Sequence, residues 1–232
     1  PYTIGFMMGM LSLSVIFFAI LFSNQLLFKE WDAKFDTMFF ALPFSKGSYL
    51  QGKFGFFFVK TFLSFTLLIV GFIIGQNLRM GSEIQPIFNA WHYLYPLIIF
   101  GLLNSFFVCS FLFFIAYTAQ KKLLVVLGGL LLYVLYMVLL VFSNSPFMSS
   151  SLPQSLEAQQ ISALLDPFGL SAYFFEARTF SVLQKNTGIV PVSGMLLLNR
   201  LIVVLTSGLF LWISFRRFSL TSAQSHKSNK KR

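Results

Sequence analysis

Long apolar stretches divide this sequence, with short polar or charged segments between them. Residues 1–28 carry no charge, and "IGFMMGMLSLSVIFFAILF" within them is long enough for a bilayer-crossing helix, which takes about 20 apolar residues. Similar stretches cover about 54–78, 96–118, 123–142 and 195–215. No strand-length alternation recurs along them, which disfavours a membrane barrel. The pattern predicts an all-α polytopic membrane protein with five spanning helices.

The composition excludes a soluble domain. Of the 232 residues, 56% are hydrophobic and 10% are charged, against roughly 25% charged residues in a typical soluble domain. Phenylalanine alone occurs 32 times. A soluble fold of this length could not bury that much apolar surface and still present a wettable exterior.

Positive charge predicts the orientation of the helices. Lysine and arginine concentrate in residues 29–53, in the pair Lys121 and Lys122, and in the basic tail 216–232. A five-helix chain places all three segments on one side, which the positive-inside rule makes cytoplasmic. The first helix then starts outside, so we expect an earlier spanning helix to be missing from this sequence. These basic segments also explain the net charge of +10, so no nucleic-acid partner is expected; the tail can instead contact anionic membrane lipids.

One apparent motif carries no chemistry, and the sequence offers no zinc-binding motif. Gly47, Gly52 and Lys53 have the spacing of a phosphate-binding loop, but Phe54 stands where the motif needs a Ser or Thr, and no sheet supports the segment. No H-E-x-x-H sequence occurs, and His92 and His226 are far apart. We therefore expect no catalytic residue, no metal site and no cofactor bound by this chain.

The first loop, residues 29–53, combines charge with an apolar stripe at helical spacing. Pro43 predicts the end of one helix, and Ser45 predicts the cap of a short second helix that leads into the next span. Two interpretations stay open, a helix lying in the membrane interface and a docking surface for a cytoplasmic partner. The candidate docking residues are Glu30, Asp32, Asp36, Phe39, Leu42, Pro43, Phe44, Lys46 and Tyr49.

Two stretches resemble a known family. The order acidic residue, apolar run, "ALPFSK", aromatic residue and "GK" resembles the first cytoplasmic loop of type-2 ABC exporter permeases. The block "LLDPFGLSAYFFEARTFSVLQKNTGIVPVSGMLLLNR", residues 164–200, resembles one bacterial branch of them, common among Bacteroidetes. In that branch the permease is fused to or associated with a zinc peptidase of the aminopeptidase N type.

The resemblance implies a permease domain over residues 1–215, with five of the family's six spanning helices, in a bacterial cytoplasmic membrane. Two permease units form a path, and separate cytoplasmic ABC ATPases hold ATP and magnesium and drive it. Glu30, Asp32 and Asp36 would pair with basic groups on the ATPase. Phe39, Leu42, Pro43 and Phe44 would be apolar anchors, with Lys46 and Tyr49 at the rim. A peptidase would lie on another chain or another part of the polypeptide.

The extracytoplasmic segment, residues 143–192, opens with a Ser- and Pro-rich turn region and continues with helical spacing broken at Pro167 and Gly169. Short helices dipping back into the membrane and an ordinary surface loop both remain open. Four charged residues are candidates for a gate or a partner-binding rim: Asp166, Glu176, Arg178 and Arg200.

Few polar residues enter the spans. Lys60 and Arg200 lie near helix ends, from which their side chains can reach water. Asn104, with Asn24, Gln25 and Ser105, is expected to hold helices together. An ion-coupled carrier normally needs a buried Asp, Glu or His at the midplane, and the spans offer none, which favours a driver outside the chain.

The sequence thus predicts the permease subunit of an ATP-driven exporter, which itself is not an enzyme. The alternative is a non-transporting scaffold that relays ATPase strokes through residues 143–192 to an extracytoplasmic partner such as a peptidase. A passive anchor without an ATPase is a third reading.

Overall fold

The computed structural model describes residues 1–32, 45–78, 89–142 and 155–218. All regular elements in these ranges are helical, which confirms the all-α prediction. They are α1 (Tyr2–Leu11), α2 (Ser14–Leu26), α3 (Lys29–Asp32), α4 (Lys46–Leu78), α5 (Trp91–Pro96), a π-helical turn (Leu97–Leu102), α6 (Leu103–Ala119), α7 (Lys122–Phe142), α8 (Leu156–Leu165), α9 (Leu170–Ala177), α10 (Val182–Thr187) and α11 (Gly194–Arg217).

Within the described residues, five helical stretches are long and apolar enough to cross a membrane, so the chain is a multi-pass membrane protein. They are Tyr2–Leu26, Lys46–Gln76, Trp91–Ala119, Lys122–Phe142 and Gly194–Arg217. All five correspond to the spans predicted from the apolar stretches.

The second span begins earlier than its apolar stretch. Ser45 Oγ accepts a hydrogen bond from the Ser48 backbone N–H at 3.2 Å, which confirms the predicted cap. The prediction of a separate short helix is wrong, because the helix that starts at Lys46 continues without a break to Leu78.

Two spanning stretches are interrupted near the same depth. The turn at Ser12 and Leu13 separates α1 from α2, and Ser12 Oγ donates to the carbonyl of Gly9 at 2.6 Å. In the third span Pro96, which has no N–H to donate, precedes the π-helical turn. At the first interruption, the N–H groups of Val15 and Ile16 bond to carbonyls three residues earlier. At the second, the carbonyl of Ile99 accepts a hydrogen bond from Arg200.

Helix α6 forms the centre of the bundle, and α4 lies at its periphery. Most of α6 is buried, including Phe107, Val108 and Phe113. The ring of Phe54 from α4 meets Phe113 edge to face, with centroids 5.4 Å apart, a favourable aromatic arrangement. By contrast, only 22% of the residues in the most apolar stretch of α4 are buried.

The bundle has two chemically distinct ends. The hairpin end, named for the helical hairpin that α8 and α9 form, holds Tyr2, the end of α7 and helices α8–α10. There Tyr173 Oη donates to the Tyr2 carbonyl at 3.0 Å. The basic end holds α3, the start of α4 and the α6–α7 connection; there Lys122 pairs with Asp32 at 2.5 Å. The described parts of the three basic segments therefore lie together, as the charge pattern predicts.

Helices α8 and α9 form a helical hairpin, residues 156–177, that packs into the bundle. Its turn lies at Pro167 and Gly169, as the sequence predicts, and Gly169 has φ +76°. Phe168 and Leu170 are fully buried. An ordinary surface loop would leave such side chains exposed, so that reading is wrong for this part of the segment.

Candidate functional site

Asp166 organises the turn of the helical hairpin. Its side chain is fully buried, and its two carboxylate oxygens accept hydrogen bonds from the N–H groups of Phe168 at 2.8 Å and Ser171 at 2.7 Å. The second bond satisfies a free N–H in the first turn of α9, where a carboxylate also meets the positive end of the helix dipole. One side chain therefore closes the turn and starts α9.

Arg200, in the second turn of α11, enters the same buried region. It is 4% exposed. Its Nη1 donates to Asn104 Oδ1 at 2.8 Å and to the carbonyl of Ile99 at 3.3 Å. Its Nε and Nη2 donate to Asn199 Oδ1 at 2.9 Å and 2.5 Å. The planar guanidinium thus joins α11 to α6 and to a carbonyl of the π-helical turn.

Asn199 holds the end of α8. Its Nδ2 donates to the carbonyls of Ala163 at 2.8 Å, Leu164 at 3.2 Å and Asp166 at 2.7 Å. The last carbonyls of a helix have no partner within it, so this amide provides one from a neighbouring spanning helix. The helical hairpin is thereby attached to α11 through its backbone.

Asn104 completes the connection to the first span. Its Nδ2 donates to Ser12 Oγ at 2.9 Å and to the Phe168 carbonyl at 3.2 Å. We call these five residues the Asp166–Arg200 network: Ser12, Asn104, Asp166, Asn199 and Arg200. It joins the first, third and fifth spans to the hairpin turn.

The electrostatics of the network are those of a buried site. Burial raises the pKa of the Asp166 carboxyl above its ordinary value, while the N–H groups of Ser171 and Phe168 and the positive charge of Arg200 act in the opposite direction. The guanidinium is held by neutral acceptors on Asn104 and Asn199. The arrangement is suited to fixing one conformation of the hairpin.

The four residues expected at a gate or rim have different surroundings. Asp166 and Arg200 are buried together rather than exposed. Glu176 Oε1 accepts from the Met195 N–H at 2.6 Å and so caps the start of α11. Arg178 is exposed, with its guanidinium 3.9 Å from the centre of the Phe175 ring.

One expectation from the sequence is corrected here. Arg200 does not extend to water, because it is buried and the hairpin turn lies against it. Asp166, in the segment assigned to the outer side, is also buried, but it belongs to none of the five spans, so the prediction that the spans hold no acidic residue is unaffected. The predicted helix-joining role of Asn104 is confirmed. Sequence reasoning missed Ser12 and gave Asn199 no role of its own; the adjacency of Asn199 to Arg200 inside an apolar stretch was the available signal.

At the basic end, Glu30 and Lys53 form an ion pair between α3 and α4. Lys53 Nζ also donates to the Leu27 carbonyl at 3.1 Å and to Tyr49 Oη at 2.9 Å. The Tyr49 ring in turn stacks on Phe218, with centroids 6.0 Å apart. Glu30 and Tyr49, expected to contact a partner, thus have partners within this chain.

The remaining candidate docking residues are only partly described. Asp32 pairs with Lys122 on the surface, and Lys46 is half-buried in the first turn of α4. Five of the candidates lie outside the described residues: Asp36, Phe39, Leu42, Pro43 and Phe44. Residues 47–53, which have the phosphate-loop spacing, form the first turns of α4 instead of a loop.

Comparison of the chain with protein-family models, with curated proteins and with solved structures gives no match.

Proposed function

We propose that this chain is the membrane-spanning permease subunit of an ATP-driven exporter of the type-2 ABC kind. In this proposal a separate cytoplasmic ATPase binds ATP and magnesium, and a second permease unit completes the path. The basic end faces the cytoplasm of a bacterial cell, across its cytoplasmic membrane, in agreement with the positive-inside rule. The proposal rests on the resemblance of residues 29–53 and 164–200 and on the contacts described next.

The observation that carries the proposal is the attachment of α3 to several spanning helices. Glu30 joins it to α4 through Lys53, and Asp32 joins it to α7 through Lys122. Lys53 also bonds the Leu27 carbonyl at the end of α2. A force applied to residues 29–53 would therefore be passed to three spans at once, as coupling to an external ATPase requires.

The opposite end supports the same mechanism. The Asp166–Arg200 network holds the helical hairpin to the first, third and fifth spans. The first span is bonded both at the basic end, through the Leu27 carbonyl, and to this network, through Ser12, so a displacement begun at the basic end would reach the hairpin end along it. Interiors packed in this way respond by switching between discrete arrangements.

Purification from source membranes in mild detergent tests the proposal directly. A Lys29→Cys variant in a Cys109→Ser background carries a cross-linker at the exposed start of α3. We expect an ABC ATPase to co-purify and to cross-link from position 29. If neither occurs at low salt, the exporter proposal fails and the passive anchor takes its place.

A second candidate is the scaffold that relays ATPase strokes to an extracytoplasmic partner. One observation favours it: α10 presents Val182 and Leu183, which are 77% and 71% exposed, at the hairpin end. A capping box between Ser181 and Gln184 fixes this short helix. Adjacent exposed aliphatic residues on a rigid outer helix are suited to binding a partner such as a peptidase.

The two candidates predict different results for a Val182→Ser, Leu183→Ser double variant. If the chain is a scaffold, the double variant loses the extracytoplasmic partner and retains the bound ATPase. If the chain is an exporter, the double variant still moves substrate into proteoliposomes and retains the ATPase. Retention of an extracytoplasmic partner by the double variant would contradict the scaffold candidate.

A further inference from the structure

Lys60 stands apart from the other charged residues of the basic end because it lies within the apolar part of α4. It follows Lys53 by seven residues, which is about 10 Å along a helix axis. Its neighbours along the exposed face of α4 are Phe56, Val59 and Leu63, all more than half exposed. Its stem therefore leaves the helix at a depth where the surroundings are hydrocarbon.

Among the residues that the structure describes, the ammonium group of Lys60 has an aromatic neighbour but no carboxylate. Its Nζ lies 4.5 Å from the centre of the Phe22 ring on α2, a cation–π distance. At the basic end the acidic residues in the described ranges, Glu30 and Asp32, are already paired with Lys53 and Lys122. Within those ranges no ion pair reaches Lys60.

The antiparallel packing of α2 and α4 defines what lies beside Lys60. Lys53 meets Leu27, and Lys60 meets Phe22. The exposed side chain of Gln25 therefore lies between these two levels, on the path from Lys60 towards the basic end. A polar amide and an ammonium thus lie at neighbouring levels of the α2–α4 contact, beside the exposed apolar side chains of α4.

We propose that the surface around Lys60, formed by Phe22, Gln25, Phe56 and Lys60, binds an anionic phospholipid from the leaflet at the basic end. The lipid phosphate accepts hydrogen bonds from the Lys60 ammonium and the Gln25 amide, and an acyl chain lies along Phe56 and Val59. A charge at this depth is costly without a partner, and a lipid phosphate at the membrane surface is within reach of an extended lysine. The excess of positive charge at this end favours anionic over zwitterionic lipid.

Native mass spectrometry of the full chain tests the site, with dioleoylphosphatidylglycerol and dioleoylphosphatidylcholine as probes. Loss of the one basic group that contacts the lipid phosphate corresponds to about a fivefold loss in affinity for anionic lipid. We expect K60Q to retain phosphatidylglycerol about fivefold more weakly than the native chain, and K60R to retain it normally. K121Q, which removes an exposed lysine at the same end, should retain it normally.

A second measurement avoids dependence on the folding of K60Q. In a Cys109→Ser background, Lys60→Cys is purified and then modified, with a reagent that adds an aminoethyl group or with one that adds a methylthio group. Only the aminoethyl product should regain phosphatidylglycerol retention. The proposal would be overturned if both products retained phosphatidylglycerol equally, or if K60Q retained it as well as the native chain does. Retention of phosphatidylcholine as strong as that of phosphatidylglycerol would also overturn it. These measurements need no ATPase, so their outcome is independent of the exporter proposal.

Discussion

The guanidinium of Arg200 lies against Gly169, in the space that the Cβ of any other residue at that position would occupy. Gly169 also has φ +76°, a left-handed conformation that residues with a Cβ rarely adopt. The conformation of the hairpin turn and the position of the Arg200 guanidinium therefore both require a glycine at position 169.

Gly169→Ala should destabilise the protein by at least about 2 kcal/mol, because backbone strain alone costs of order 1–3 kcal/mol and the clash with Arg200 adds to it. Thermal unfolding in detergent measures the change. Gly208→Ala in α11 is the matched control, because a Cβ there meets nothing within 4 Å; it should be neutral or slightly stabilising. Equal losses in the two variants would show that the turn does not require glycine.

Arg200→Lys should cost about 1.5–3 kcal/mol despite keeping the charge, because hydrogen bonds of a charged group are lost. A lysine ammonium cannot reproduce the planar fork that serves Asn104, Asn199 and the Ile99 carbonyl together. Chemical denaturation in mixed micelles measures this loss. Arg178→Lys, on the exposed surface, should change stability by less than about 1 kcal/mol; a native-like Arg200→Lys would mean that the fork is not needed.

Asn199→Ala should loosen the helical hairpin before it unfolds the bundle. It removes the donor that serves three carbonyls at the end of α8, and unsatisfied buried carbonyls cost about 1–3 kcal/mol. Hydrogen exchange should accelerate in residues 156–165 and remain unchanged in α6. Asn186→Ala, on the exposed α10, is the control and should leave exchange in both regions as it is.

Lys53→Met should destabilise the basic end by about 2–4 kcal/mol, because it leaves the largely buried Glu30 carboxylate without its partner. Lys122→Met breaks the half-exposed pair with Asp32 and should cost at most about 1 kcal/mol. Unfolding midpoints of both variants give the comparison. In the proposed exporter, Lys53→Met should also lower the coupling of ATP hydrolysis to transport more than Lys122→Met does.

Glu176→Ala should cost about 1 kcal/mol, since the carboxylate caps the Met195 N–H at the start of α11. Glu176→Gln keeps an acceptor oxygen and should lose less. If the alanine and glutamine variants unfold at the same temperature as the native chain, the cap does not contribute to stability.

The spans were predictable because each is a nearly uninterrupted run of apolar residues, and hydropathy alone decides such segments. The charge pattern likewise predicted which loops share an end, and Asp32 and Lys122 meet as it requires. Pro167 and Gly169 marked the hairpin turn through their own backbone restrictions.

The candidate site was harder to predict because its contacts join distant parts of the sequence. Arg200 bonds Asn104 across 96 residues, and no local pattern specifies such a pairing. Arg200 looked able to reach water because its position in the helix gives no information about the hairpin that covers it. Lys53 was likewise interpreted as part of an apparent phosphate-loop motif, whereas in the structure it forms an ion pair with Glu30 of α3.

The π-helical turn at Leu97–Leu102 adds one residue to a turn of an otherwise α-helical span. An extra residue rotates everything beyond it by about 100° relative to a regular helix of 3.6 residues per turn. The extra residue therefore helps to determine that the Asn104 side chain points towards Ser12 and Arg200. Deleting one residue there would leave the hydropathy profile almost unchanged and still turn the amide away from Ser12 and Arg200.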